Sequence, residues 1–207
     1  MTRPRGRPRS FDREEALNSA LLVFWEKGLS ATSLDDLASA MHMNRPSIYN
    51  AFGDKESLYR QALEAFGRGL DDGLEAAFAG APDVRAAVLL FFRQAIDVYC
   101  GDGPARGCLI MCTAPAEASS RPDVAGDLAA VIRRIDDRLT AAIGEAVTAQ
   151  ALPADTDARL TAKCLQATLH SLALRARAGE AKASLRTFAA YATKQLLPLA
   201  AAPGNGA

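Results

Sequence analysis

The chain has no long apolar run, no excess of charge of either sign, few cysteines and no alternating strand pattern. Each absence removes a class of protein. The longest uninterrupted apolar stretch is Ala86 to Phe92, far short of the roughly 20 residues that a membrane-spanning helix needs. The N-terminus is basic but lacks the apolar core of a signal peptide. Four cysteines in 207 residues are too few for a disulfide scaffold, so a cytoplasmic protein with reduced thiols is expected. The cysteines and the two histidines show no paired metal-ligand spacing, which argues against a bound metal. There is no G-x-S-x-G, P-loop or dinucleotide fingerprint, so no cofactor is expected. A thiol hydrolase using Cys108 or Cys112 with His170 would also need an orienting carboxylate and an oxyanion hole, and nothing in the sequence assembles them. The expectation is a protein that is not an enzyme. With 24 Lys and Arg against 24 Asp and Glu, net charge gives no general attraction to nucleic acid.

Charge distribution says more than the total. Residues 1–9 carry Arg3, Arg5, Arg7 and Arg9 without an acid, and the remainder is slightly acidic. A neutral DNA-binding protein has to concentrate its positive charge where phosphates lie. The segment P-R-G-R-P resembles the AT-hook core of proteins that lie in the minor groove, whose negative potential takes up an inserted Arg such as Arg5 or Arg7. The alternative is a disordered, solubilising arm over residues 1–10.

The most informative stretch is Ser33 to Lys55. It reads as a short helix to about Met41, with Leu34, Leu37, Ala38 and Met41 on one face. His42 and Met43 then bridge to Asn44, a good N-cap, and Pro46 falls in the first turn of a second helix. That helix ends near Phe52, because Gly53 stops it and Asp54 caps the next. Two short helices joined by a tight turn form a helix-turn-helix, whose second helix enters the DNA major groove. Arg45 stands at the end of that helix that points into the groove, and an Arg there meets guanine O6 and N7. Ser47 reaches a base edge or a phosphate. Thr32 and Ser33, at the start of the preceding helix, suit a phosphate at its positive dipole end. Ile48 and Phe52 face the core.

The segment S-I-Y-N-A-F-G-D-K closely resembles the recognition segment of TetR-type transcriptional repressors, and the likeness extends upstream through Phe24, Gly28 and T-S-L-D-D-L-A, over about residues 10 to 60. The resemblance implies that the Tyr49 hydroxyl and the Lys55 ammonium bind phosphates, and that Asn50 and Ala51 face DNA. Many relatives carry an aromatic residue or His at those last two positions, so an operator sequence does not transfer.

An all-α chain is expected throughout: a basic arm (1–10), a helix-turn-helix domain (11–56), a ligand-binding and dimerisation domain (57–200) and a tail (201–207). The first helix runs from about Asp12 to Lys27 and ends at Gly28. A long helix runs from Asp54 toward Gly80, with Gly67, Gly69 and Gly73 weakening its middle. Later helices cover about Asp83–Tyr99, Cys108–Ser119 interrupted at Pro115, Pro122–Gln150, Asp155–Arg177 and Leu185–Leu197. The last two carry broad apolar stripes. By resemblance they pair across a two-fold axis through Leu165, Leu169, Leu172, Phe188, Ala192 and Leu196; the alternative is burial within one subunit. The expected partners are a palindromic DNA operator, a second copy of the chain and a small-molecule effector, with no membrane.

A pocket for an apolar or aromatic effector is expected among Phe66, Phe91, Phe92, Tyr99, Met111, Ile132, Ile135 and His170, residues that equally suit a plain core. R-G-C-L resembles a branch of TetR-type regulators in which the matching Cys senses electrophiles or oxidants. Cys108 and Cys112 share a helix face, and a helix N-terminus with Arg106 nearby lowers the pKa of Cys108. The alternative is an inert, buried thiol.

Overall fold

The computed structural model describes residues 12–200, and all regular secondary structure among them is helical. Arg5, Arg7, the rest of the basic arm and the tail lie outside the described residues. The helices are α1 (Arg13–Ala31), α2 (Leu34–Ala40), α3 (Arg45–Phe52), α4 (Lys55–Gly80), α5 (Val84–Cys100), α6 (Leu109–Ala118), α7 (Pro122–Thr148), α8 (Ala158–Arg177) and α9 (Lys182–Leu196). They divide into two compact units, one through Ala62 and one from Leu63. The division therefore falls within α4, a few residues beyond residue 56.

In the first unit, short helices are defined by their ends. Asp12 caps α1 through the N–H groups of Glu14 and Glu15. The helical run breaks at Gly28, whose φ of 75° is open to glycine, and one further turn reaches Ala31. Ser33 and Asp36 form a reciprocal capping box on α2. Asn44 accepts from the Ser47 N–H to start α3, and Asp54 accepts from the Ser57 N–H to start α4. The core these helices close over holds Phe24, Leu37, Ile48, Phe52 and Tyr59, all buried. The Phe24 and Tyr59 rings meet edge to face at 5.1 Å. Burying each such side chain contributes roughly 1.5–3 kcal/mol.

In the second unit, α7 packs on α6 and α8, α5 on α8 and α9, and α8 on α9. Two sequence expectations change here. α6 continues through Pro115, which lies on its exposed face and needs no room in the core. The cap of α8 is Asp157, which accepts from the Leu160 N–H, rather than Asp155. α4 carries its three glycines without a break. Gly67 has a packing role: a Cβ there would come within 3.0 Å of Arg134 Nη2 and 3.3 Å of Val131.

The apolar stripes of α8 and α9 need the larger correction. Leu165, Leu169 and Leu172 are buried within their own subunit, as is Ala192. Phe188 and Leu196 are half-buried. The large apolar side chains exposed on these helices are Leu160 and Leu174 of α8 and Tyr191 of α9. A helix of this length has room for two apolar stripes, and the inner one meets α5 and α7.

Candidate functional site

The first unit presents one edge of α3 outward. Arg45, Pro46, Tyr49 and Asn50 are exposed, Ser47 and Ala51 are half-buried, and Ile48 and Phe52 of the same helix point into the core. Tyr49 leaves 48% of its surface exposed, large for an aromatic residue on a helix this short. Arg45 does not stand alone. Its guanidinium pairs with Asp35 of α2, 2.6 Å from Nη2 to Oδ1.

Thr32 and Lys55 are placed differently from the expectation that both meet phosphates directly. Thr32 is buried, and its hydroxyl donates to the Gly28 carbonyl at 2.6 Å. The half-buried Lys55 ammonium donates to the carbonyls of Leu29 (2.9 Å) and Thr32 (2.7 Å). A cation on the carbonyls at the end of α1 acts as a C-terminal cap. Both residues therefore shape the corner behind α2. Ser33 is exposed, and its hydroxyl is engaged with Asp36, which also pairs with Lys27. These bonds hold the Asp36 carboxyl far below the ordinary carboxylate range, the Lys27 hydrogen bond contributing most.

In the second unit, a cavity of about 10 Å³ lies among α4, α5, α6, α7 and α8, a space at the size that admits one water. Six of the residues singled out in the sequence line it: Tyr99, Cys108, Met111, Ile132, Ile135 and His170. Phe66, Phe91, Phe92 and Cys112 do not; Phe91 and Phe92 are buried core. The lining also takes in Leu70, Ile110, Val131, Gln166 and Leu169, which the sequence reading missed as pocket residues. Their signal was the same helical spacing that marked the core, so spacing alone had no means of separating them.

The cavity is apolar with a few polar groups. The Tyr99 hydroxyl is wholly buried beside the Cys108 thiol and has no nitrogen or oxygen partner. Burial, then the neighbouring Cys108 thiol, pushes its pKa well up. Gln166 spends its amide N–H on the Ile132 carbonyl. Burial lowers the pKa of His170, with the Asp136 carboxylate opposing, so the neutral imidazole is favoured.

Cys108 follows the inert rather than the reactive pattern. Burial pushes its thiol up to about 11, outweighing the N–H groups of Met111 and Ile110 at the start of α6. Cys112 is raised as well, again by burial, with Arg177 pulling the other way. The glycine of R-G-C-L has a steric reason. Gly107 has φ 67°, and a Cβ there would lie 2.5 Å from the Ala173 carbonyl oxygen and 2.8 Å from Cys112 Sγ. No group of three or more His, Cys, Asp or Glu able to hold a metal is present among the described residues. No described helix is long and apolar enough to cross a membrane.

Comparison with known proteins matches both units. Residues 16–62 fit the bacterial regulatory proteins of the tetR family, and residues 85–192 fit the tetracyclin repressor-like C-terminal domain. Among solved structures, a cysteine-substituted CifR, a TetR family regulator in complex with 26-base-pair operator DNA, is 31% identical. Its TM-score is 0.78 over 91% of this chain and 98% of that one. The reduced form of NemR from E. coli, at 20% identity and a TM-score of 0.80, shares the fold over 92% of this chain and 98% of its own. The transcriptional repressor ComR of Escherichia coli K12 is 31% identical over 125 residues, 60% of each chain. The repressor BdcR of the same organism is 28% identical over 51% of this chain and 54% of its own. The chain thus spans between half and two thirds of the length of ComR and of BdcR. With a family match on each unit and a like-sized relative at 31% identity, the chain belongs to the tetR family of bacterial regulatory proteins.

Proposed function

We propose that this protein is a homodimeric, ligand-responsive transcriptional repressor that binds a palindromic DNA operator and leaves it when a small apolar effector is bound. The observation that carries the reading is the outward edge of α3, where Arg45, Tyr49 and Asn50 stand exposed over a helix anchored by Ile48 and Phe52. Arg45 and Asn50 read base edges, Tyr49 and Ser47 bond phosphates, and Ala51 meets a thymine methyl. Lys55 and Thr32 act indirectly, by fixing the corner that sets α2 and α3. CifR, the like-sized relative, was captured on operator DNA.

Pairing through α8 and α9 supplies two reading heads about 34–36 Å apart, one helical turn. The face that supports it holds Leu160, Cys164, Ala167 and Leu174 of α8 and Tyr191 of α9, all exposed at helical spacing. The effector site is the cavity around Tyr99 and His170. Its apolar walls favour an apolar ligand, and the Tyr99 hydroxyl, with only the weak Cys108 thiol beside it, favours one with a hydrogen-bonding group. At about 10 Å³ the cavity is closed to any such ligand, so binding must part the helices. That expansion is how occupancy selects a conformation unable to grip the operator.

A narrower version makes Cys108 the sensor of an electrophile. Its sulfur borders the cavity, but a pKa near 11 leaves little thiolate at neutral pH, so reversible binding is the better-supported reading. The test is selection of binding sites from random duplexes, followed by a screen of small molecules for release. Paired half-sites one turn apart are expected, and enrichment of no sequence would overturn the reading. Release by N-ethylmaleimide that vanishes in Cys108→Ser would establish the covalent version instead.

A further inference from the structure

The arrangement that the reading of α3 leaves unexplained is the clasp between α2 and α3. Arg45 Nε donates to Asp35 Oδ1 at 3.0 Å, and Nη2 reaches Oδ1 at 2.6 Å and Oδ2 at 2.7 Å. Both side chains are open to solvent, at 55% and 74% exposure. Exposed ion pairs add little to stability, and this one also restrains a long, rotamer-rich side chain. Stability is therefore a poor reason for it. Nor does α2 need Asp35 as a cap, since Ser33 and Asp36 provide the capping box.

The geometry suits recognition better. Arg45 is the first residue of α3, where the helix dipole disfavours a cation, while Asp35 lies in the first turn of α2, where it favours an anion. The carboxylate occupies the Nε and Nη2 side of the guanidinium and leaves Nη1 unengaged among the described residues. A planar fork held along one side presents its other end in a fixed orientation.

Resting on the DNA-binding reading above, we infer that Asp35 is a specificity-determining positioning residue: it holds the Arg45 guanidinium side-on so that its free end meets a guanine edge in the major groove. Guanine offers two acceptors there, O6 and N7, which reward a correctly oriented fork. An unrestrained guanidinium instead takes the nearest phosphate, a contact without sequence information. The Asp35 charge also repels phosphates, lowering affinity for every duplex alike. Weaker general binding with sharper discrimination is one way a protein gains specificity.

The experiment uses the full chain and the duplex it selects, with each guanine of the half-site replaced in turn. Dissociation constants are measured for the wild type, Asp35→Ala, Arg45→Ala and the double variant, with thermal melting as the fold control. Asp35→Ala should lose discrimination about fivefold or more at one guanine per half-site, as expected for a loosened bidentate contact. Its affinity for a random duplex should hold or rise. In the Arg45→Ala background, Asp35→Ala should cost no further discrimination, because the two act as one unit. Asp35→Asn, which keeps one acceptor oxygen, should fall between and serves if the alanine variant melts early. Undiminished discrimination in Asp35→Ala, or an equal loss with Arg45 already removed, would overturn the inference alone. A wild type that selects no duplex would overturn the DNA-binding reading with it.

Discussion

In the first unit every helix start has a side-chain cap: Asp12, Ser33, Asn44 and Asp54 each accept a backbone N–H of the turn that follows. In the second unit α5 and α8 are capped by Asp83 and Asp157, but α6, α7 and α9 begin at Cys108, Arg121 and Ala181 with no such bond. The contrast extends inward. The Lys55 ammonium, half-buried in the first unit, bonds two carbonyls, whereas in the second Asp71 and Asp136 each keep a buried oxygen without a partner. Helices of seven and eight residues cannot hold themselves together by length, so caps supply what cooperativity does not. Helices of up to 27 residues tolerate loose ends and leave groups that a ligand can satisfy. On the proposed function, the first unit would hold a geometry and the second would change one.

That contrast can be broken in three places. Gly107→Ala should have the largest effect, because its Cβ would meet the Ala173 carbonyl at 2.5 Å on a backbone with φ 67°. Overpacking and strain together cost roughly 2–4 kcal/mol, read as a lower denaturation midpoint. A neutral result would mean that the loop before α6 is slack. Lys55→Met should follow. It removes two charge-assisted bonds to Leu29 and Thr32, costing about 2 kcal/mol, and should weaken binding to all duplexes by disturbing the corner behind α2. Weaker DNA binding with unchanged melting would restore the direct phosphate contact expected from the sequence. The smallest effect has the opposite sign. Tyr99→Phe removes a buried hydroxyl that has no nitrogen or oxygen partner and only the weak Cys108 thiol beside it, and should raise stability by up to about 1 kcal/mol while lowering effector affinity. A loss of stability would mean that the hydroxyl is already satisfied in the free protein.

The sequence spoke most clearly where structure is local. Ser33, Asn44, Pro46 and Gly53 mark helix ends by their own chemistry, so α2 and α3 were legible to within a residue or two. Leu165 and Leu160 show the opposite case. Both are leucines on one amphipathic helix, and only the positions of α5 and α7 decide that the first is core and the second exposed. A Lys after a recognition helix resembles a phosphate ligand, and the sequence alone offers no second role for Lys55. Its bond to Leu29 spans 26 residues, a separation at which local pattern carries no signal. Pro115 marks an interruption in the sequence pattern, yet an exposed position lets the helix carry it.

The seat of Gly107 ties the cavity wall to the outer surface of its own unit. The loop ahead of Cys108 rests on the Ala173 backbone of α8 with no gap for so much as a methyl group, and Arg177 one turn on donates to the Arg106 carbonyl. A guest that pushes on Cys108 has no slack to absorb the push there. On the proposed function, that displacement would pass to α8, which also carries the exposed Leu160 and Leu174, so a joint between two copies there would feel an occupied cavity as a change in its own fit.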